Sequence, residues 1–434
     1  TLIGYIARLS QTPITISRLL EHLDTTLPAM ARGRLAMVLD QLLDAGALVT
    51  CLRAPTTVDD ALQHLCTELD RAGAASLAGV ADTFKQLHGI HEDLTRYAAA
   101  RDDPTGVTAA GGYLAAAEGA MAQLNGDRQS LAFDTELDAS VRLPGPVLAE
   151  ARRAAETLQR VTTEPFGSPA WVEYHLRFRE RYGPGALVPV RDLVSDAGLG
   201  YPTGYLGSPS TTPIWRTVTD RDAYLAARIQ ETILAGRSEL SLTDRDLEKL
   251  TIGDSSTVTS PARFELGFSI EAESPQEVDA GHFRLQVTGT PASATSMMGR
   301  FAALLSEGDH RALAATFAED PSGGPGETDG SVVHAQLSFP SRQASGGNVT
   351  RVGQLLPAVI HLGEHREPQQ DGTATPSVTA GSRTGDQEAI WLDDLAVTGD
   401  AERLWLVQVS TGRVVVARVP HALELTTHAP VLAR

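Results

Sequence analysis

Lysine is nearly missing from this chain: Lys85 and Lys249 are the two among 434 residues. Cysteine is as scarce, with Cys51 and Cys66 alone. Two cysteines without a partner pattern make neither a disulfide framework nor a zinc site, which sets the expectation of a reducing, cytoplasmic setting. No apolar run reaches the roughly 18 residues that a membrane span needs. Thr1 opens the chain with no Met-led targeting peptide before it, so the chain reads as a fragment. There is no Walker A loop, no G-x-S-x-G and no G-x-G-x-x-G, so P-loop, nucleophile-elbow and dinucleotide-binding chemistry have no sequence support. No internal repeat is visible. The 12 histidines are scattered. His88 and His91 form an H-x-x-H without further ligands nearby, so no metal site is expected.

What is present is acidic and apolar. The net charge is −18 and 42% of residues are hydrophobic. Such a chain folds, and its length suggests two to four subdomains. The negative balance argues against simple non-specific nucleic-acid binding, which depends on phosphate neutralisation. The cations that do occur are almost all arginine. Arginine suits planar recognition of phosphate and carboxylate, although abundant alanine points equally to a GC-rich genome. From Arg142 to Arg191 there are eight arginines and five glutamates, a local +3. That is a weak sign of an anion-facing surface.

Periodicity divides the chain. "TISRLLEHL" puts Ile16, Leu19, Leu20 and Leu23 on one helical face, and "ARGRLAMVLDQLLDAG" does the same with Leu35, Val38, Leu39, Leu42 and Leu43 before Gly46. "ALVTCLR" then reads as a strand. Helix, turn, helix, strand over residues 1–57 suggests a winged-helix-like unit. Arg32 and Arg34 open its second helix, too few cations among acidic neighbours for a DNA-binding regulator, and capture of a peptide as an added strand fits better. Residues 58–130 read as helical and alanine-rich, broken at Pro104 and at Gly111–Gly112. The third region, 131–434, opens on "RQSLAFDTELDASVRLP", a β-like alternation with Leu131, Phe133 and Thr135 on one face and Asp134 on the other. Helices are expected over Pro146–Arg160, Pro169–Tyr182 and Asp220–Leu234. Strands are expected at Arg263–Glu271, at His282–Gly289 and in "VVHAQLSFPS", "EAIWLDDLAVTG", "RLWLVQVST" and "RVVVARVP". A helix is expected to begin at Gly299. "EDPSGGPGETDG" and "REPQQDGTATPSVTAGSRTGDQE" read as polar loops. The fold class is α+β: mixed sheets with helical blocks and an N-terminal winged-helix-like peptide-binding subdomain.

A collinear set of motifs goes further. "FRERYGPGALVPVRDLVSDAGLGYP", "FELGFSI", "MMGRFAALL", "HAQLSFPSRQASGGNV" and "AIWLDDLAVTGDAERLWLVQVSTGRVVV" follow one another in the order found in lantibiotic dehydratases of the LanB type. The opening "LIGYIARLSQTPITISRLL" with "LLDAGALVTCLRAPTT" resembles that family's embedded winged helix, which captures the leader of a precursor peptide. The resemblance runs through essentially the whole chain and is to the family's N-terminal, glutamylating region. It implies transfer of glutamate from glutamyl-tRNA, as co-substrate and with no other cofactor, to Ser/Thr hydroxyls of the precursor, before elimination to dehydroamino acids. The partners it implies are the precursor's leader and core, glutamyl-tRNA and an elimination domain or partner protein, with a homodimer left open. The family carries further basic residues ahead of this region and a separate elimination domain after it, so the fragment by itself is expected to be inactive.

Ester transfer to a hydroxyl needs a group that takes the hydroxyl proton and donors for the developing oxyanion. It also needs cations for the tRNA backbone and the glutamate carboxylate. Asp134 in "LAFDTEL" and Arg300 in "GRF" match the family's positions for this step. Gly299 is expected to let backbone approach a ligand there. The competing reading is an ion pair that merely pins two elements. Asn348 and Arg351 in "GGNVTR" are lesser substrate-binding candidates, and Val49, Thr50, Cys51 and Leu52 are the expected leader-binding strand. Tyr201 and Tyr205 either stack on a terminal tRNA base or pack in a loop. A non-catalytic peptide-binding scaffold is the alternative function.

Overall fold

The computed structural model describes residues 2–10, 14–26, 32–101, 106–126, 131–205, 208, 218–253, 265–291, 296–318, 331–343, 346–365, 387–423 and 425. Helices α1 (Leu2–Leu9), α2 (Ile16–Thr26) and α3 (Arg32–Asp44) open the chain. Their apolar faces close on one another, burying Ile6, Leu19, Leu23, Leu35 and Leu39 in one cluster. Gly46 ends α3 in the left-handed region at φ 68°, and the Ala47 N–H turns back to the Leu42 carbonyl at 2.8 Å.

The expected strand after α3 does not form: residues 47–53 are turn and irregular chain. The Leu48 N–H is spent on the Leu42 carbonyl, and the Cys51 carbonyl is held by His64 Nε2 at 2.8 Å. Val49, Thr50, Cys51 and Leu52 are thus irregular chain and not the strand that was expected to take up the leader. Among the described residues the N-terminal unit is three helices without a wing.

Helices α4 (Ala61–Arg71), α5 (Ala81–Arg101) and α6 (Val107–Asn125) follow. Asp60 caps α4 by accepting from the Gln63 N–H at 2.8 Å. Helix α6 runs straight through Gly111 and Gly112, where a break was expected. Each mid-helix glycine costs about 1 kcal/mol, but both are on the exposed side while Ala110 and Ala117 are buried as α6 lies along α5. Pro104 is outside the described residues.

Next come α7 (Gly145–Arg160) and α8 (Pro169–Tyr182), the latter stopped at Gly183 with φ 82°. Then follow β1 (Val188–Pro189), α9 (Val190–Val194), α10 (Asp220–Leu234) and α11 (Asp244–Leu250). Capping boxes start both α10, at Thr219 with Asp222, and α11, at Thr243 with Asp246. A two-stranded hairpin of β2 (Gly267–Glu271) and β3 (Arg284–Gly289) brackets the short α12 (Pro275–Asp279), and α13 is Glu307–Ala318. The remaining strands are β4 (Val332–Ser338), β5 (Ala358–His361), β6 (Glu388–Ala389), β7 (Leu395–Gly399), β8 (Leu404–Gln408) and β9 (Val414–Arg418).

With β1 these form one seven-stranded sheet in the order β1-β7-β8-β9-β4-β5-β6. Pairing is antiparallel from β1 to β9 and parallel from β9 through β4 and β5 to β6. The fold is α+β with a mixed sheet, as the sequence suggests. Val333, Ala335, Phe339, Ala358, Ile360 and Val415 are among the buried core of this sheet. The expected strand around Asp134 is irregular chain that joins no ladder among the described residues, and Phe133 and Leu137 are exposed. The polar loop 319–330 and residues 366–386 lie outside the described residues. No described helix is long and apolar enough to cross a membrane.

A polar anchor ties the N-terminal helices to the carboxyl end of β4 and β5. The linker residues Ala54, Pro55 and Thr56 are buried. Glu364 accepts from the Thr56 N–H at 3.0 Å and from the Ser338 hydroxyl, and the Thr56 and Ser338 hydroxyls are 2.8 Å apart. The Val352 N–H donates to the Thr56 carbonyl at 2.9 Å, and a side chain on Gly353 would collide with the Asp59 carboxylate.

Candidate active site

Ser296 to Leu305 folds as a tight turn rather than an α-helix. Gly299–Leu304 is a 3₁₀ segment, and α13 starts after it. The Met298 N–H donates to the buried Ser296 hydroxyl at 3.1 Å, and the Met297 N–H to Glu265 Oε2 at 2.9 Å. Gly299 is buried against the main chain: any Cβ there would be driven into the Pro420 carbonyl just past β9. This corrects the expectation that Gly299 opens room for a ligand. Its missing side chain lets two backbones touch. Gly299→Ala is expected to destabilise the protein by about 3 kcal/mol, the upper end for overpacking a rigid contact, as read by denaturant unfolding. An unchanged unfolding curve with lost activity would instead return Gly299 to the ligand-approach reading.

That packing fixes where Arg300 emerges. Its guanidinium reaches Asp134, 166 positions away in sequence, with Nε donating to Oδ1 at 3.0 Å and Nη2 to the same oxygen. Arg300 also lies over the Phe301 ring at 5.1 Å. The two side chains keep 27% and 31% of their surface exposed. A partly solvated pair of this kind adds at most about 1 kcal/mol of stability, so structure alone gives a weak reason for it. Among the described residues only one carboxylate oxygen is used, and the other can accept a proton or a hydroxyl hydrogen bond. The five-donor guanidinium also keeps hydrogen-bonding capacity. The pair thus sets a carboxylate beside a guanidinium, on two segments far apart in the sequence.

The other candidates do not gather here. Arg351 is turned inward: its Nη1 donates to the carbonyls of Pro55 at 2.9 Å and Val58 at 2.6 Å. Burial pulls its pKa below the ordinary arginine range, against the opposing charges of Glu364, Asp59 and Asp60. Asn348 is exposed in the loop between β4 and β5. His88 and His91 face Asp70 at 3.3 Å and Asp60 at 3.4 Å, and among the described residues no three His, Cys, Asp or Glu side chains cluster for a metal. Tyr205 accepts from Trp171 Nε1 at 2.8 Å. Tyr174, pushed up to about 12 chiefly by burial, donates to the Gly200 carbonyl at 2.7 Å and pins the "GLGYP" loop. Sequence reasoning missed Glu364. Its one signal was a carboxylate two residues past the apolar run of β5 and Leu362.

The mixed sheet and the motif order define an α+β protein of one family, and the comparisons specify it. The family model described as lantibiotic dehydratase, N terminus, matches residues 1–434. The chain belongs to the lantibiotic dehydratase family. It is similar to the tRNA-dependent lantibiotic dehydratase MibB from Microbispora sp. 107891, with 27% identity, a TM-score of 0.71, and coverage of 99% of this chain and 40% of that one. The glutamylation domain TbtB from thiomuracin biosynthesis aligns with 16% identity and a TM-score of 0.45, over 100% of this chain and 49% of that one. The chain thus spans less than half the length of either. No curated protein sequence matches it.

Proposed function

We propose that this chain is the glutamyl-transferring part of a tRNA-dependent lantibiotic dehydratase. A Ser or Thr hydroxyl of a precursor peptide attacks the carbonyl carbon of glutamyl-tRNA. The new ester forms on the peptide, the ester to the terminal ribose breaks, and the hydroxyl proton ends on that ribose oxygen. The observation that carries this reading is the meeting of Asp134 and Arg300 across 166 positions, in a chain of the lantibiotic dehydratase family that is similar to a solved tRNA-dependent member. Asp134 takes the proton or orients the hydroxyl. Arg300 holds the glutamate carboxylate or the developing oxyanion. Elimination then falls to a further domain or a partner protein.

The leader is assigned to the three-helix unit, whose Val49 and Leu52 side chains are exposed; side-chain contacts rather than strand addition would hold it. Because the donor is a charged tRNA, the reaction is placed in the cytoplasm. The test uses the full-length enzyme, its precursor peptide and glutamyl-tRNA, with elimination blocked. Mass spectrometry is expected to find glutamyl adducts on Ser and Thr, and ribonuclease treatment of the donor should abolish them. Adducts formed from free glutamate and a nucleotide after ribonuclease treatment would overturn the tRNA dependence.

A further inference from the structure

A cavity of about 330 Å³ opens on one face of the large sheet. Its lining includes Val397 of β7 and Ala417 of β9, with four aromatic side chains, Trp171, Tyr201, Tyr205 and Trp405. Protein cores are close-packed, with few voids larger than a water. This one is roughly twice the 150 Å³ of an engineered apolar cavity that takes up benzene. Among the strand residues Leu404, Trp405 and Leu406 none is fully buried, so this part of the sheet is incompletely covered. Trp171 is 40% exposed, which sets it at the mouth.

Among the described residues the lining carries no charged side chain. A carboxylate or phosphate placed there would lose its hydration without repayment. Among the described residues no amide or carboxylate side chain lines it to read the edge of a nucleobase. What fits is an uncharged apolar group flanked by something that can accept a hydrogen bond. Tyr205 accepts from Trp171 Nε1, and a phenol hydroxyl can donate as well as accept. A peptide has both parts, an apolar side chain and adjacent carbonyls. Position favours a peptide as well: Ala417 lies three residues before Pro420, on the order of 10 Å along the chain, and Pro420 is the residue on which the Gly299–Arg300 turn is seated.

We propose that this cavity is a specificity pocket for an apolar side chain of the acceptor peptide, close in sequence to the Ser or Thr that is modified. The proposal deepens the glutamyl-transfer reading and rests on it for the identity of the peptide.

The test is calorimetric binding to the full-length enzyme, without tRNA, of the end-capped peptide Ala-Thr-Leu-Ala and its Ala-Thr-Lys-Ala counterpart. The leucine peptide is expected to bind at least about tenfold more tightly, the discrimination an apolar pocket supplies. Ala417→Phe, which fills the cavity, should erase that preference with no loss of melting temperature. Val397→Phe serves as a second filler if the first variant does not fold. Equal binding of the two peptides, or a preference that survives a folded filler variant, overturns the pocket. So does uptake of free indole or adenosine, blocked by the filler, when neither peptide binds. The readout is independent of transfer chemistry. A leucine preference in an enzyme that transfers no glutamate would leave the pocket standing and remove the proposed reaction; transfer to both peptides with equal affinities would do the reverse.

Discussion

Replacing Glu364 with alanine is expected to lower the unfolding free energy by about 3–5 kcal/mol, the cost of removing one member of a buried charged cluster. The side chain is 3% exposed. It receives the Thr56 N–H and the Ser338 hydroxyl, with His361 Nδ1 at 3.5 Å. Its removal leaves a buried amide and hydroxyl with fewer acceptors, and it takes a compensating charge from Arg351, which is held by the linker carbonyls of Pro55 and Val58. The loss is therefore expected at the linker first. Urea unfolding should show the fall in stability, and limited proteolysis should cut within residues 54–60 before the sheet opens. Glu364→Gln keeps acceptance at one oxygen and should cost less. A change below about 1 kcal/mol for the alanine variant would mean that water reaches the cluster.

Arg300→Lys and Asp134→Asn are expected to invert that pattern, with large losses of activity and small losses of stability. The pair is partly solvated, so breaking it costs at most about 1 kcal/mol. Lysine keeps the charge but loses the planar fork that holds Asp134 through two nitrogens. A donor misplaced against a developing oxyanion costs roughly 10²–10³ in rate. Asparagine matches aspartate in shape but takes up no proton, a loss of roughly 10²–10⁴ where the carboxylate is the base. Leader affinity should stay unchanged in both, because α1–α3 have a core of their own.

Much of this was legible in the sequence, and the failures share a cause. Helix Pro169–Tyr182 falls between its Pro start and its glycine stop, and Asp220–Leu234 falls at its expected bounds. The apolar runs around Val333 and Val415 became neighbouring parallel strands. Asp134 and Arg300 were picked from motif resemblance, and their contact spans a separation that no local pattern encodes. "ALVTCLR" has strand composition, but α3's end and His64 take its backbone groups first. Gly299 looked like a ligand-facing glycine because the backbone it meets, Pro420, is more than a hundred residues away. Arg351 stood out as a cation, and its burial is set by a linker from the other end of the chain. Local propensity shows what a segment prefers, whereas long-range hydrogen bonds decide whether its groups are free.

The most direct test of the Asp134–Arg300 site is single-turnover transfer from tRNA carrying isotope-labelled glutamate, with full-length wild-type enzyme and Arg300→Lys side by side. Wild type is expected to move the label into the precursor as a base-labile ester on Ser or Thr. The folded variant is expected to retain it on tRNA, slower by roughly 10²-fold or more. Equal transfer rates in the two enzymes would contradict a role for Arg300 in the reaction and leave the pair as a tether between two segments.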